Sequence, residues 1–188
     1  MENRISGNYL IVDVEATCWE REDIRQQESE IIEIGAVLFD AEKRKSVREF
    51  QSFIRPVRNP VLSDFCKQLT SIKQGDVDSA PVFQDVINTL KEQILYQYDY
   101  FFASWGEYDR KQFIRDCEYH HIEYPFGEDH LNLKKLFAKK YSRKPCGMTI
   151  ALDMLNISME GIHHRGIDDA RNITKIFDNI IVSGNNKP

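Results

Sequence analysis

The stretch Tyr9–Trp19 constrains the chain most. It reads Tyr-Leu-Ile-Val-Asp-Val-Glu-Ala-Thr-Cys-Trp, an apolar run suited to a buried central strand but broken by Asp13 and Glu15. Side chains alternate along a strand, so both carboxylates project from one face. Two acids side by side at the end of an apolar strand repel each other and lose hydration, which is costly unless a cation neutralises them. Oxygen-only, doubly anionic sites suit magnesium or manganese. The competing reading is a half-exposed strand whose polar side faces water.

At 188 residues the chain fits a single domain over 1–188, long enough for a sizeable core. No apolar run is long enough to span a bilayer. Met1–Ser6 lacks a basic start and an apolar region, so no secretion signal is expected. Cys18, Cys66, Cys117 and Cys146 lie far apart, which favours reduced thiols in a cytoplasmic protein over a zinc site or disulfide framework. The net charge of -5 speaks against nucleic acid at first sight. A site that gathers acids and fills with dications removes the objection, because the ions cancel the charge.

Along the chain, strands are predicted over Ile31–Phe39 and Val47–Ile54, forming an antiparallel meander with the first, and over Tyr100–Trp105. Glu20–Glu30 reads as a loop. Helices are predicted over Ser63–Leu69, over Val82–Leu95 with Pro81 at its start, and over Glu107–His121. A short strand or turn near His130–Leu133 leads into a basic helix through Tyr141. Further helices follow over Thr149–Leu155 and Ile167–Val182. Strands followed by alternating elements and then helices describe an α/β sheet with helices packed on it.

Two more acids sit at helix starts. Asp109 shares a stripe with Phe113 and Cys117, which aims it inward, although an acid in a first turn also complements the helix dipole. In His163-His164-Arg165-Gly166-Ile167-Asp168-Asp169, both His163/Asp168 and His164/Asp169 have a His-x-x-x-x-Asp spacing. Helical phase separates them. Asp169 aligns with Ile173, Ile176 and Ile180, while Asp168 aligns with Asn172, Lys175 and Asn179 on a wet face. Asp169 therefore points inward, and His164 lies on a loop just ahead of the helix. Four carboxylates and one base placed in this order point to one shared metal site.

The motifs Asp-Val-Glu-Ala-Thr-Cys, Ser-Trp-Gly-Glu-Tyr-Asp and His-Arg-Gly-Ile-Asp-Asp-Ala-Arg-Asn resemble the DEDDh branch of the DnaQ-like 3′→5′ exonucleases, in particular the Eri-type exoribonucleases. The likeness runs from about Tyr9 to Ile181. It implies a ribonuclease H-like fold with a five-stranded mixed sheet and helices on both faces. It also implies that Asp13, Glu15, Asp109 and Asp169 hold two divalent ions, Mg²⁺ or Mn²⁺, with His164 as general base. Ala16, Thr17, Leu69 and Thr70 resemble the family's terminal-nucleotide pocket. Ser71 departs from the family, standing where relatives often carry glycine. The chain also ends soon after its last helix, so the additional RNA-binding module of larger relatives is not expected.

The implied reaction is metal-dependent hydrolysis at the 3′ end of single-stranded nucleic acid, RNA favoured over DNA, releasing nucleoside 5′-monophosphates. A DNA-directed exonuclease and a non-catalytic binding module on the same fold are the alternatives. Trp19, Trp105 and Tyr108 are candidates to stack on a base, with core packing the alternative for Trp105, and Met148 is a candidate to border the sugar. Lys134, Lys135, Lys139, Lys140, Arg143 and Lys144 either track phosphates or form a solvated helix face.

Overall fold

The computed structural model describes residues 6–20 and 28–184. Most of the expected loop after Trp19 therefore lies outside the described residues. Five strands form one mixed sheet in the order β3-β2-β1-β4-β5. β1 (Asn8–Ala16), β2 (Ile31–Asp40) and β3 (Lys45–Phe53) make the expected antiparallel meander. β4 (Phe101–Ser104) joins β1 in parallel, and the two-residue β5 (Leu131–Asn132) joins β4 in parallel.

The two faces of β1 carry the two main cores, as its alternation requires. Leu10, Val12 and Val14 face α3 (Phe83–Leu90) and α4 (Tyr108–His120), through Val86, Leu90 and Phe113. Tyr9 and Ile11 face α5 (Leu133–Lys140), α6 (Met148–Met154) and α7 (Gly166–Gly184), through Phe137, Leu152 and Phe177. Asp13 and Glu15 continue the odd-numbered series, so they belong to the face that α7 covers. α1 (Asp64–Thr70) and α2 (Gln74–Asp78) bury Cys66, Ile72 and Val77 in a third, smaller cluster with Ile32. The four cysteines are free. Among the described residues no helix is long and apolar enough to cross a membrane.

Three local expectations are corrected. The helix expected over Val82–Leu95 is α3 followed by a π-helical turn, Lys91–Leu95, which keeps both Leu90 and Ile94 in the core. Pro81 stands before the N-cap Val82, outside the helix. α2 was not expected, since its sequence has no apolar period; the Asp76 carboxylate accepts the Lys73 N–H at 2.8 Å and starts the turn. Ser71 ends α1 in the left-handed region at φ 60°, the conformation that glycine adopts without strain.

α7 is seated by a contact that admits no side chain. Gly35 pairs with Asp13 across β1 and β2 and shares its face. A Cβ on Gly35 would lie 2.0 Å from the Gly166 carbonyl carbon and 2.1 Å from the Ile167 nitrogen. Two residues away on the same face, the buried Glu33 accepts the Gly166 N–H at 3.0 Å and a forked pair of bonds from Arg165 at 3.0 and 3.1 Å. The start of α7 is thereby pinned beside Asp13. Gly35→Ala pushes α7 outward and destabilises the protein by about 1–3 kcal/mol, the usual scale of overpacking. A thermal melt checks this; an unchanged Tm would mean that α7 is not held against β2.

Candidate active site

The site forms at the carboxyl ends of β1 and β4, where parallel strands pass into helices. β1 delivers Asp13 and Glu15 to one face, and α7, fixed by the Gly35–Gly166 contact, brings Asp169 to them from above. Carboxylate oxygens of Asp13, Glu15 and Asp169 all lie within 4.8 Å of one another. Asp109 enters from the first turn of α4 on the opposite side of β1. Its Oδ1 accepts the Val14 N–H at 3.2 Å, and it stands apart from the tight trio.

Charge accumulates here with little water to disperse it. Lost hydration raises the Asp13 carboxyl well above its ordinary range, with repulsion from Asp109, Glu15, Asp169 and Glu33 adding to it. Glu15 is pushed up to about 9, first by burial and then by Asp169 and Glu33. Burial lifts Asp109 to about 6 against the pull of its hydrogen bonds and of Lys134, and burial also raises Asp169. Glu33 is a fifth acid nearby, on the same face as Asp13, Glu15 and Asp169, and the Arg165 guanidinium matches it. Among the described residues no Lys or Arg pairs with Asp13, Glu15 or Asp169; Asp169 lies against His163 and Glu15 against His164. Such a set fits hard divalent cations, which favour ionised oxygens and reverse the pKa displacement.

A pH dependence follows from these shifts. Glu15 holds its proton to about 9 in the folded chain against an ordinary value of 4.5, and Asp109 to about 6 against 3.8. The metal-free fold therefore binds protons that the unfolded chain has already released. Its stability is greatest below the ordinary values and declines as pH rises through 6 and on toward 9. With EDTA, Tm falls between pH 5 and 9. A saturating divalent cation raises Tm, by about 2.7 kcal/mol of stability at 100 times its Kd, and flattens the decline. A metal-free Tm that climbs across this range would contradict the crowding of acids.

Both histidines reach the site, by different routes. His164 has φ 63° and its Nδ1 is 4.0 Å from Glu15 Oε1, while its backbone N–H donates to Asp169 Oδ2 at 3.1 Å. Burial and the neighbouring His163 lower its pKa, which keeps the imidazole neutral. His163 Nδ1 lies 3.0 Å from Asp169 Oδ2, a contact that the His-x-x-x-x-Asp spacing did not reveal.

The expected nucleotide pocket lies on the far side of Glu15. Ala16 and Thr17 are buried as the chain leaves β1. Thr17 is tied to Ser29 and Glu30, and the Cys66 thiol donates to the Ala16 carbonyl at 3.7 Å, bringing α1 with the half-buried Leu69 and buried Thr70 alongside. Trp19 is half-buried just beyond, and Tyr108 is 50% exposed at the start of α4. Trp105 and Met148 correct the expectation. Trp105 is 8% exposed, donates its indole N–H to the Cys146 carbonyl at 3.1 Å and packs on Phe137, and Met148 lies in the same core. Neither offers a face to a substrate. Of the basic stretch, Lys134 turns toward Gly106 and Asp109, and Lys135 pairs with Glu107 at 3.2 Å. Asn172 is also corrected: it is fully buried, because its amide holds both the N–H and the carbonyl of Glu160.

Comparison with known proteins places the chain among exonucleases. The exonuclease family model RNase_T matches residues 10–177. The 3′-5′ exonuclease eri1 of Schizosaccharomyces pombe is 33% identical over 93% of this chain and 68% of its own length. Human 3′-5′ exoribonuclease 1 is 32% identical over 93% of this chain, which spans about half (52%) of that protein. The nuclease domain of 3′hExo, a DEDDh family member bound to rAMP, superposes with a TM-score of 0.89 at 30% identity, covering 95% of this chain and 94% of that one. By sequence and fold, the chain belongs to the RNase_T exonuclease family, on its DEDDh branch.

Proposed function

We propose that this chain is a 3′→5′ exoribonuclease that shortens single-stranded RNA one nucleotide at a time, releasing nucleoside 5′-monophosphates. The observation that carries the reading is the convergence of Asp13, Glu15 and Asp169 within 4.8 Å, with the His164 imidazole beside them. Four acids, counting Asp109, match the charge of two dications, and an all-oxygen donor set selects Mg²⁺ or Mn²⁺. Bound there, the two cations would neutralise charge on the entering and leaving oxygens of the phosphodiester.

The chain's own residues do the rest. Asp13, Glu15 and Asp169 hold the cations against the strand end, and Asp109 supports them from the α4 side. The neutral His164 takes the proton of the attacking water, an efficient task for a group titrating near or below neutrality. Ala16 and Thr17, with Leu69 and Thr70, form the wall against the terminal nucleotide, while Trp19 and the exposed ring of Tyr108 offer stacking surfaces. The preference for ribose is supported by relatives named exoribonuclease and by the rAMP bound to the 3′hExo domain.

Digestion of matched 5′-labelled RNA and DNA oligonucleotides, single-stranded and duplex, tests the reading. A ladder shortening from the 3′ end, mononucleotide products, dependence on Mg²⁺ or Mn²⁺ and faster loss of RNA are expected. Internal cleavage or indifference to EDTA would overturn the assignment, and equal or faster digestion of DNA would overturn the choice of substrate.

A further inference from the structure

The tandem histidines carry more than one base requires. In an extended chain, adjacent side chains point to opposite sides. At His164 the backbone turns into the left-handed region, φ 63°, and both rings come to one side, stacked with centroids 3.9 Å apart and planes 24° from parallel. That conformation is uncommon for a non-glycine residue and is kept where its surroundings enforce it. Asp169 enforces it here, with Oδ2 accepting the His164 N–H at 3.1 Å and lying 3.0 Å from His163 Nδ1. One ring nitrogen from each histidine and one Asp169 oxygen all lie within 4.8 Å of one another.

We propose that His163, His164 and Asp169 form a second metal site selective for zinc, which shares Asp169 with the magnesium site and shuts the enzyme when filled. The inference rests on the nuclease reading for its inhibitory consequence, though not for the binding itself. Two imidazoles and a carboxylate with an open fourth position are a zinc donor set, whereas magnesium disfavours nitrogen. Tetrahedral bonds of about 2.1 Å place neighbouring ligand atoms about 3.4 Å apart, so closing the site takes a rotation of the two half-exposed rings and no movement of α7. Zinc held there occupies the His164 ring and draws Asp169 from Asp13 and Glu15. Excess magnesium then cannot restore turnover, because the base itself is ligated.

Zinc binding to the full chain in excess Mg²⁺, measured by competition with a chromophoric chelator, is the test. The wild type is expected to take up one Zn²⁺ per chain, and His163→Gln to bind it at least about tenfold more weakly. The zinc needed for half-inhibition of Mg²⁺-supported RNA digestion, each protein measured against its own zinc-free rate, should rise by the same factor in His163→Gln. Nitrogen NMR of the wild type gives a readout independent of any substitution: zinc must shift the ring nitrogens of both histidines. Equal zinc affinity in the two proteins, or a shift at His164 without one at His163, overturns the proposal. Zinc uptake that depends on His163 in a chain without RNA hydrolysis would keep the site and sink the nuclease reading. Active digestion with His163-independent zinc uptake would do the reverse.

Discussion

Asp169→Asn loses metal-dependent RNA hydrolysis, with turnover falling at least about 10³-fold, because several kcal/mol of transition-state charge stabilisation depend on cations this residue helps to hold. The substitution keeps an acceptor oxygen for the His164 N–H and the same volume in a position that is 4% exposed, so the fold survives. It also removes one of the charges that raise the Asp13 and Glu15 carboxyls. The metal-free variant should therefore melt no lower than the metal-free wild type at neutral pH, and it should lose most of the rise in Tm that Mn²⁺ gives the wild type. Loss of activity together with retained or increased metal-free stability identifies a ligand under electrostatic strain. Loss of activity accompanied by a lower metal-free Tm would instead make Asp169 a structural residue. Asp13→Ala should behave alike in activity, although it leaves a cavity and gains less in stability.

Much of this site was legible because strand alternation and helical phase act locally. The period of two in Leu10–Glu15 puts Asp13 and Glu15 on one face whatever the rest of the chain does, and the phase shared with Ile173 and Ile176 turns Asp169 inward. What stayed hidden depends on pieces that meet only after folding. Glu33 is a single acid within the apolar run of β2, and its partner Arg165 is 132 residues away. Only the register, which pairs Glu15 with Glu33 and Asp13 with Gly35, shows that this fifth acid shares the face of the other three and that α7 lies against a glycine. Asn172 has the phase of a solvated residue and is buried all the same, because the loop at Glu160 folds over it. Trp105 and Met148 lie near the motifs in sequence, yet their side chains fill the α5–α7 core. Proximity along the chain says where a backbone passes, and burial decides what a side chain can touch.

His164→Ala separates proton transfer from metal binding. None of the three carboxylates is removed, so the rise in Tm given by Mg²⁺ or Mn²⁺ should persist while turnover falls by about 10²–10⁴, the usual contribution of a general base. The change should appear in kcat, with KM for RNA little altered, since the imidazole acts on the water and not on the bound strand. Backbone strain is the confounding effect, because alanine at φ 63° costs stability of its own. His164→Asn controls for it: asparagine tolerates the left-handed region and cannot serve as a base, so it should melt above His164→Ala and be equally impaired. The pH profile supplies the final discrimination. Burial and His163 hold the His164 pKa below its ordinary value of 6.5, so wild-type kcat should rise with pH along a limb whose midpoint lies below 6.5. Both variants should lose that rise. Full turnover in either one, or a wild-type limb that survives the substitution, would move the role of base to another group, with His163 the nearest imidazole available to take it.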